Sequence, residues 1–455
     1  MPSFGKRTSP YHLEFTNSEQ ATAHGGQILV DALCRRFHLW SKIACRPVLD
    51  PRTRKGAGFA PQAIIAQLLF TLTSGGASLA DAQRVGQDSV LRNLVGLEKG
   101  ADESTLGEWL RAQTKESVLA LHQLNWELVR EVLAEAKPAR VTHGGALEMF
   151  FDGTEIEVHG KKIQGARFNY DGHLALSWQT LWAGPFLLDG ILDGAGDVSE
   201  HLPALLGEQA ALWKDRASYL YADSGSSAGQ YLNAIDQAGF TRWSVSYNKW
   251  TTVLDRLASE LPADQWSSES PEPWSEGAQY AWIKHLPGEV NQKARRFAAV
   301  RRKREGDLLW RYYYVACEAG EVKDPKAVFE RHALKGAKEQ GFSQVLSDLD
   351  LHHPPCLELI ANQAFYAIAT LAFNVLTALK VLDLPDEAQT WRVRTIIRHL
   401  LTVPVTVSSH ARYRKATVCI AAGWLRWWRL FVDRWVPKRK PGRPAKDVAE
   451  TGGDG

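Results

Sequence analysis

Residues 218–247 read SYLYADSGSSAGQYLNAIDQAGFTRWSVSY, and this stretch decides the class of fold. The apolar run Ser218–Ala222 predicts a buried strand, and the Gly/Ser segment after it predicts a loop. The residues up to Gly239 have the apolar spacing of a helix, and residues 241–247 form a second apolar run. A strand, a helix and a strand in this order are typical of a parallel pair, so the sequence predicts a mixed α/β fold.

The regions around this unit differ in composition and in the secondary structure that they predict. Short apolar runs at 146–151, 174–182 and 186–192 predict three antiparallel strands before it. Pro/Ser/Glu-rich stretches follow it, together with a predicted hairpin whose strands are 295–304 and 308–317. Helical patterns precede Pro138 and return after Lys326. We therefore divide the chain into a helical N-terminal region suited to DNA binding (1–140), the first part of a core (141–250), a β-rich insertion (251–325), the second part of the core (326–385) and a basic C-terminal region (386–455).

The composition is that of a globular protein. The chain has 455 residues, of which 45% are hydrophobic and 23% charged, so a fibrous or fully disordered chain is excluded. Five cysteines without a CxxC pair argue against a zinc ribbon or a disulfide framework. No secretory signal is visible, and the uncharged stretch 359–379 contains two asparagines and a glutamine, so we interpret it as a buried helix. A cytoplasmic protein without membrane contact is expected.

The charge is unevenly distributed. Residues 392–446 contain 14 Lys/Arg and one acid, whereas residues 1–391 contain 40 Lys/Arg and 47 acids. Clustered cations gain affinity for nucleic acid by releasing its counterions, so this asymmetry predicts a polyanionic partner. Within the segment, KRKPGRPAK (438–446) is similar to an AT-hook, which binds the narrow minor groove of A/T-rich DNA. The alternative is a solubilising tail. The predicted DNA contacts of the tail are Lys438, Arg439, Lys440 and Arg443.

Two aspartates follow predicted strands. Asp152 comes after the apolar run MFF and Asp223 after YLYA, each followed by a glycine within two residues. Carboxylates at strand ends are suitable ligands for Mg²⁺, although Asp-Gly and Asp-Ser-Gly are also ordinary turn sequences. A two-metal site for phosphoryl transfer needs a further carboxylate, for which Glu339 is the candidate and Glu330 the competing acid. The predicted helical face of Glu339 also carries His332 and Lys335, which could contact DNA phosphates if the face is not simply solvated.

Three segments carry a resemblance to a known family. They are FFDGTEIEVHG (150–160), YADSG (221–225) and KEQGFSQVLSDLDLHHPPCLELIANQAFYAIATLAFNVL (338–376). The chain resembles bacterial insertion-sequence DDE transposases over about residues 75–415, specifically the thirteen-eighty group of the insertion-sequence-four superfamily. The resemblance implies a ribonuclease H-like catalytic core, interrupted by a β-rich insertion before the helix of the catalytic glutamate. It also implies that Asp152, Asp223 and Glu339 are catalytic and bind two Mg²⁺ ions, with Mn²⁺ as a substitute.

The implied activity is cut-and-paste transposition. Water and then a DNA 3′-hydroxyl would attack phosphodiesters at the inverted repeats of the element and in target DNA, within a synaptic homodimer at the bacterial nucleoid. This chain departs from the signature of the superfamily, because His332, Lys335 and Leu346 stand at the positions of its tyrosine, arginine and lysine. The alternative function is therefore a catalytically inactive, transposase-derived DNA-binding protein.

The insertion hairpin carries further candidate DNA contacts. Basic residues cluster beside Trp310, and basic groups interleaved with aromatic rings can bind phosphates and stack bases. Related transposases are expected to carry a base-stacking tryptophan in this region. A solvated hairpin is the alternative. The candidate contacts are Arg301, Arg302, Lys303, Arg304 and Trp310.

A competing motif belongs to another enzyme class. Residues 225–229 match G-x-S-x-G, and His143-Gly144-Gly145 is similar to an oxyanion-hole loop, so an α/β-hydrolase would use Ser227 as nucleophile. Asp223 and Ser224 separate the motif from its strand, however, and a hydrolase leaves the basic segment unexplained.

Overall fold

The computed structural model describes residues 20–435 except 55–56, 161, 170, 195, 214–215, 268–276, 289–291, 304–305, 319–321 and 411–412. The predicted DNA contacts of the tail (Lys438, Arg439, Lys440 and Arg443) and Arg304 lie outside the described residues.

The N-terminal region is helical and is built around one long helix from the second half of the chain. That helix, Leu359–Asp383, contains the stretch predicted to be a buried helix. It is long and apolar enough to cross a membrane, but it is almost entirely enclosed by protein, which confirms the prediction. The helices before the large sheet are α1 (Gln27–Arg36), α2 (Leu39–Ala44), α3 (Pro61–Thr73), α4 (Leu79–Gln87), α5 (Ser89–Val95), α6 (Glu103–Arg111), α7 (Lys115–Glu135) and α8 (Pro138–Val141).

The centre of the molecule is a mixed sheet. Its strands and the helices between them, together with the short first strand of the chain, are β1 (Ala21–Thr22), β2 (Leu147–Glu157), β3 (Arg167–Phe168), β4 (Leu174–Ala183), β5 (Phe186–Gly194), α9 (Leu202–Trp213), β6 (Ser218–Ala222), α10 (Gly229–Gln237), β7 (Trp243–Tyr247) and α11 (Thr251–Glu260). Five of the strands lie in the spatial order β5-β4-β2-β6-β7. β4 is antiparallel to both β2 and β5, whereas β2, β6 and β7 are parallel to one another. The predicted antiparallel strands and strand-helix-strand unit are therefore confirmed.

The residues predicted as an insertion extend this sheet. β8 (Gln279–His285), β9 (Arg295–Arg302) and β10 (Arg311–Glu318) continue it in the order β7-β10-β9-β8. β9 pairs with β10 as the predicted hairpin, and β10 pairs along its length with β7. One continuous hydrogen-bonded sheet thus joins the hairpin to the strands of the two aspartates.

The second helical part begins with α12 (Pro325–His332), a 3₁₀ segment (Ala333–Lys338) and α13 (Glu339–Ser343). It continues with α14 (Leu359–Asp383) and α15 (Val393–Ile396), and the chain then forms β11 (Val405–His410), β12 (Tyr413–Val418) and α16 (Ala422–Trp435).

The C-terminal elements pack back onto the N-terminal helices. β1 pairs with β11, and the backbones approach so closely that a Cβ atom on Gly26 would lie 2.2 Å from the Leu400 carbonyl oxygen. Arg392 and Arg394 pair with buried Asp348 at 2.9 and 3.4 Å. Part of the basic segment therefore stabilises the fold.

Candidate active site

Two aspartates lie side by side on neighbouring strands. The parallel pairing of β2 with β6 places Phe150 opposite Tyr221, and their rings stack with centroids 4.8 Å apart. Because side chains alternate between the faces of a sheet, Asp152 and Asp223 lie two residues further along on the same face. The predicted strand end at Asp152 is wrong, because β2 continues to Glu157 paired with β4. The pairing of β2 with β6, in contrast, ends at Phe150 and Tyr221, so Asp152 and Asp223 lie just beyond the last paired residues of these two strands.

Lys335 supplies a positive charge between the two carboxylates. Its Nζ lies 2.9 Å from Asp152 Oδ2 and 3.9 Å from Asp223 Oδ2. The other oxygens accept hydrogen bonds from backbone amides, Asp152 Oδ1 from Gly153 N and Asp223 Oδ1 from Gly225 N, both at 3.0 Å. Lys335 was predicted to contact phosphate; in this structure its ammonium group pairs with the aspartates.

Burial and charge make this pair of carboxylates a cation-binding feature. Burial raises the pKa of the Asp152 carboxyl above its ordinary value; the Lys335 charge opposes the rise, and the neighbouring Asp223 charge adds to it. Both carboxylates lie within 4 Å of the same ammonium group, and two such neighbouring negative charges repel each other unless a cation lies between them. The charged form of the site therefore requires a bound positive group.

A second ion pair anchors α12 to the same face of the sheet. Arg331 Nη2 lies 2.7 Å from Glu148 Oε1, and Arg331 Nε donates to the Tyr221 hydroxyl at 2.9 Å. The guanidinium also lies 4.3 Å from the ring centroid of Tyr219. Glu148 precedes Asp152 by four residues on β2, so both point to one face. Sequence reasoning missed this pair, although a glutamate within the apolar run ALEMFF was a signal for it.

His332 faces the sheet. Its Nδ1 lies 2.8 Å from Ser244 Oγ and its Nε2 lies 2.8 Å from Ser246 Oγ, both on β7. Burial lowers the pKa of its imidazole to about 4, and the Lys335 charge contributes to the decrease, so the ring is neutral at pH 7. These contacts favour a positioning role for His332 over the predicted contact with DNA phosphates.

Acid should weaken the fold through His332. Because its pKa is lower in the folded state than the ordinary value of about 6.5, its contribution is complete above pH 6.5 and is lost as the pH falls toward 4. The free energy of unfolding should fall by about 2 to 3 kcal/mol across this window. In His332→Asn, which cannot be protonated, this part of the pH dependence should be absent in urea titrations at pH 4.5 to 7.5. Parallel pH profiles of the two proteins would contradict the neutral state of His332.

Glu339 begins α13, four residues after Lys335, and its side chain lies outside the described part of the structure. Its competitor Glu330 is half-exposed on α12 and pairs with Lys326 at 3.6 Å. Leu346, at the lysine position of the superfamily signature, is buried in the hydrophobic core. The segment from 333 to 338 is a 3₁₀ turn, so His332, Lys335 and Glu339 do not share a continuous α-helical face.

The residues of the site fit a divalent cation. Asp152 and Asp223 offer carboxylate oxygens, the ligand type that Mg²⁺ prefers, and both already share one positive charge. Among the residues whose side chains the structure describes, no group of three or more His, Cys, Asp or Glu could hold a metal ion. A third ligand would have to come from a side chain such as that of Glu339.

The hairpin places Arg301 between two indole rings. Its guanidinium carbon lies 4.3 Å from the ring centroid of Trp266 and 4.4 Å from that of Trp310. Arg301 Nε also donates to Gln279 Oε1 at 2.7 Å, and burial lowers the pKa of the guanidinium. The predicted contacts Arg302 and Lys303 lie near the same end of the hairpin, where Lys303 is exposed.

The hydrolase hypothesis is wrong. Ser227 is fully buried, and its hydroxyl lies 2.6 Å from the Ser224 carbonyl oxygen and 2.8 Å from Asn248 Oδ1. The His143-Gly144-Gly145 turn precedes β2, whereas Ser227 follows β6. Since β2 and β6 are parallel, the two features lie at opposite ends of the sheet and cannot form one site.

No curated protein matches the chain. The profile of one family, described as transposase DDE domain group 1, matches residues 12–432. A match of this extent covers both aspartates, α12 and α14 as well as the strands of the hairpin, and the chain therefore belongs to the transposase DDE domain family, group 1.

Proposed function

We propose that this protein is a DNA transposase that cuts and joins the ends of an insertion sequence by a cut-and-paste route. The observation that carries the proposal is the placement of Asp152 and Asp223 on adjacent parallel strands with one shared cation, in a chain of the DDE family. Its more specific affiliation would be the thirteen-eighty group of the insertion-sequence-four superfamily. The three antiparallel strands followed by a parallel strand-helix-strand unit support a ribonuclease H-like core.

The carboxylates would hold two Mg²⁺ ions, or Mn²⁺ in their place. Asp152 and Asp223 would be the first two ligands, and Glu339 would be the third. When bound, such ions supply the Lewis acidity that phosphodiester hydrolysis and strand transfer require. Lys335 would leave the carboxylates on metal binding and become free to contact a phosphate. Arg331 and His332 would hold α12 against β2, β6 and β7, so that Lys335 and the start of α13 stay beside the aspartates.

The DNA would lie across the carboxyl ends of β6 and β7 and along the hairpin. Arg301, Arg302, Lys303 and Arg304 would contact phosphates, and Trp310 would stack on a base extruded near the cut. The partners would be inverted-repeat DNA and target DNA, bound by a homodimer at the bacterial nucleoid. The alternative is a protein that binds element ends without cutting them, and the buried Leu346 at the signature lysine position favours it.

The deciding experiment uses the inverted repeats in the DNA that flanks the coding region. Purified full-length protein should cleave a duplex carrying them with Mg²⁺ or Mn²⁺, and EDTA should stop the reaction. Binding without cleavage under every metal condition would support the inactive alternative. An absence of binding would contradict both functions.

The basic tail should contribute to affinity. Deletion of residues 437–455, which contain five Lys/Arg, should weaken DNA binding and reduce its salt dependence by about one slope unit for each phosphate that the tail neutralises. Any preference for A/T-rich competitor DNA should fall as well. Fluorescence titrations of both proteins at several salt concentrations measure these effects. Equal slopes would show that the tail only solubilises the protein.

A further inference from the structure

Two adjacent leucines stand exposed at the tip of the β9-β10 hairpin. Leu308 is 91% exposed and Leu309 is 80% exposed, the two highest values among the large hydrophobic residues that the structure describes. Single exposed leucines are common on protein surfaces. Two in succession at the end of a hairpin form a small apolar surface that projects into solvent and is suited to contact with a partner.

The base of this tip is firmly held. Arg301 on β9 lies between Trp266 and Trp310, and Trp310 immediately precedes β10. This contact therefore fixes the start of β10 to the end of β9. Arg311 follows at the start of β10 and pairs with Asp307 at 3.3 Å. The leucines are thus presented by a supported hairpin.

The surroundings of the tip are basic. Arg302, Lys303 and Arg311 lie at the two ends of the tip and are exposed to solvent, and the described acid of the tip, Asp307, pairs with Arg311. A polyanion is therefore the complementary partner. An apolar surface flanked by cations fits duplex DNA, whose phosphates would meet the cations while the bases meet the leucines.

The tip lies near the two aspartates. Ala222 on β6 pairs with Val245 on β7, so the next residue, Asp223, lies level with Ser246. Ser246 in turn pairs with Val315 on β10. The hairpin ladder ends at Arg311, about 14 Å further along β10, and β10 is two strand spacings, about 10 Å, from β6. Arg311 thus lies roughly 17 Å from Asp223, about five base pairs of B-DNA, and the leucines lie two and three residues from Arg311 toward the tip.

We propose that Leu308 and Leu309 form a wedge that enters the minor groove of duplex DNA a few base pairs from the cut and unstacks one base step. This inference rests on the proposed function. Apolar side chains inserted between base steps kink the duplex, and contacts to the bent DNA offset the unfavourable unstacking. The neighbouring arginines and lysine would hold the phosphates on either side.

A wedge binds more tightly where stacking is already weak. Full-length protein should therefore bind a 30-base-pair duplex with one central mismatched step about tenfold more tightly than the intact duplex, as measured by fluorescence anisotropy. Because binding outside the inverted repeats depends mainly on phosphates, the element sequence is not needed. In Leu308→Ala/Leu309→Ala the preference should fall to about twofold or less, with the affinity for intact duplex nearly unchanged.

Two control variants keep the test specific. Leu286→Ala removes a leucine that is 57% exposed just after β8, at the other end of the same strands, and should keep the tenfold preference. Leu308→Met/Leu309→Met keeps an apolar tip and should keep it too. A double alanine variant that retains the preference, or one that changes the oligomeric state without DNA, overturns the wedge. If wild-type protein binds neither duplex at low salt, the proposed function itself fails.

Discussion

Asp223→Asn and Asp152→Asn should each reduce metal-dependent cleavage of element-end DNA by at least about a thousandfold, on the order of 4 kcal/mol in the barrier. An amide retains the shape of the carboxylate but loses the charge that both residues present to a shared cation. Because the carboxylates act as one unit, the double variant should be no less active than either single variant. Cleavage time courses in Mg²⁺ and Mn²⁺, with binding measured in parallel, give the comparison.

The structure also provides controls for this experiment. Burial disfavours the charged form of Asp152, so a neutral residue should be tolerated there, and the melting temperature should show that the variants are folded. Glu339→Gln should behave like the aspartate variants, whereas Glu330→Gln, which changes a half-exposed residue on α12, should cleave normally. An active Asp223→Asn protein would refute the catalytic assignment. The reverse result for the two glutamates would move the third ligand to Glu330.

Arg331→Met should lower the free energy of unfolding by about 3 kcal/mol. The substitution leaves Glu148, whose side chain is 8% exposed, without its 2.7 Å partner, and an unpaired buried charge is costly. It also removes the hydrogen bond to the Tyr221 hydroxyl. Urea titration of both proteins measures the loss.

Two comparisons identify the origin of this loss. Arg256→Met removes an exposed arginine that lies 4.0 Å from Glu260, and it should cost less than about 0.5 kcal/mol. Glu148→Gln combined with Arg331→Met should be more stable than the sum of the single changes predicts, because no unpaired charge remains. Additive losses would show that the ion pair contributes little and that Arg331 acts through packing alone.

The sequence predicted the parts of the fold that local patterns determine. Apolar runs bounded by Gly, Asp and Ser located the strands of 218–247 and the helix between them. The charge-free stretch at 359–379 located the buried helix, since its few polar residues argued against a membrane span. The two aspartates of the candidate site were found in the same way, because each follows an apolar run.

Contacts between distant segments could not be predicted in this way. The extension of the sheet from β7 to β10 depends on strand pairing, which leaves no local signal. The contact of Lys335 with Asp152 joins residues 183 positions apart, and the 3₁₀ turn that directs Lys335 there interrupts the helical spacing assumed from sequence. The neutral state of His332 likewise follows from its burial against β7.

Under the proposed function, the continuous sheet from β2 to β8 would fix the distance between the cut in the DNA and the contact of the hairpin tip. Because hydrogen-bonded strands cannot slide past one another, the hairpin tip and the aspartates keep a fixed separation, unlike two modules joined by a linker. Each base pair added between the cut and the hairpin contact would displace that contact by about 3.4 Å and rotate it by roughly 35° around the helix axis. In the proposed transposase, strand register would therefore set the number of base pairs between the cut and the hairpin contact.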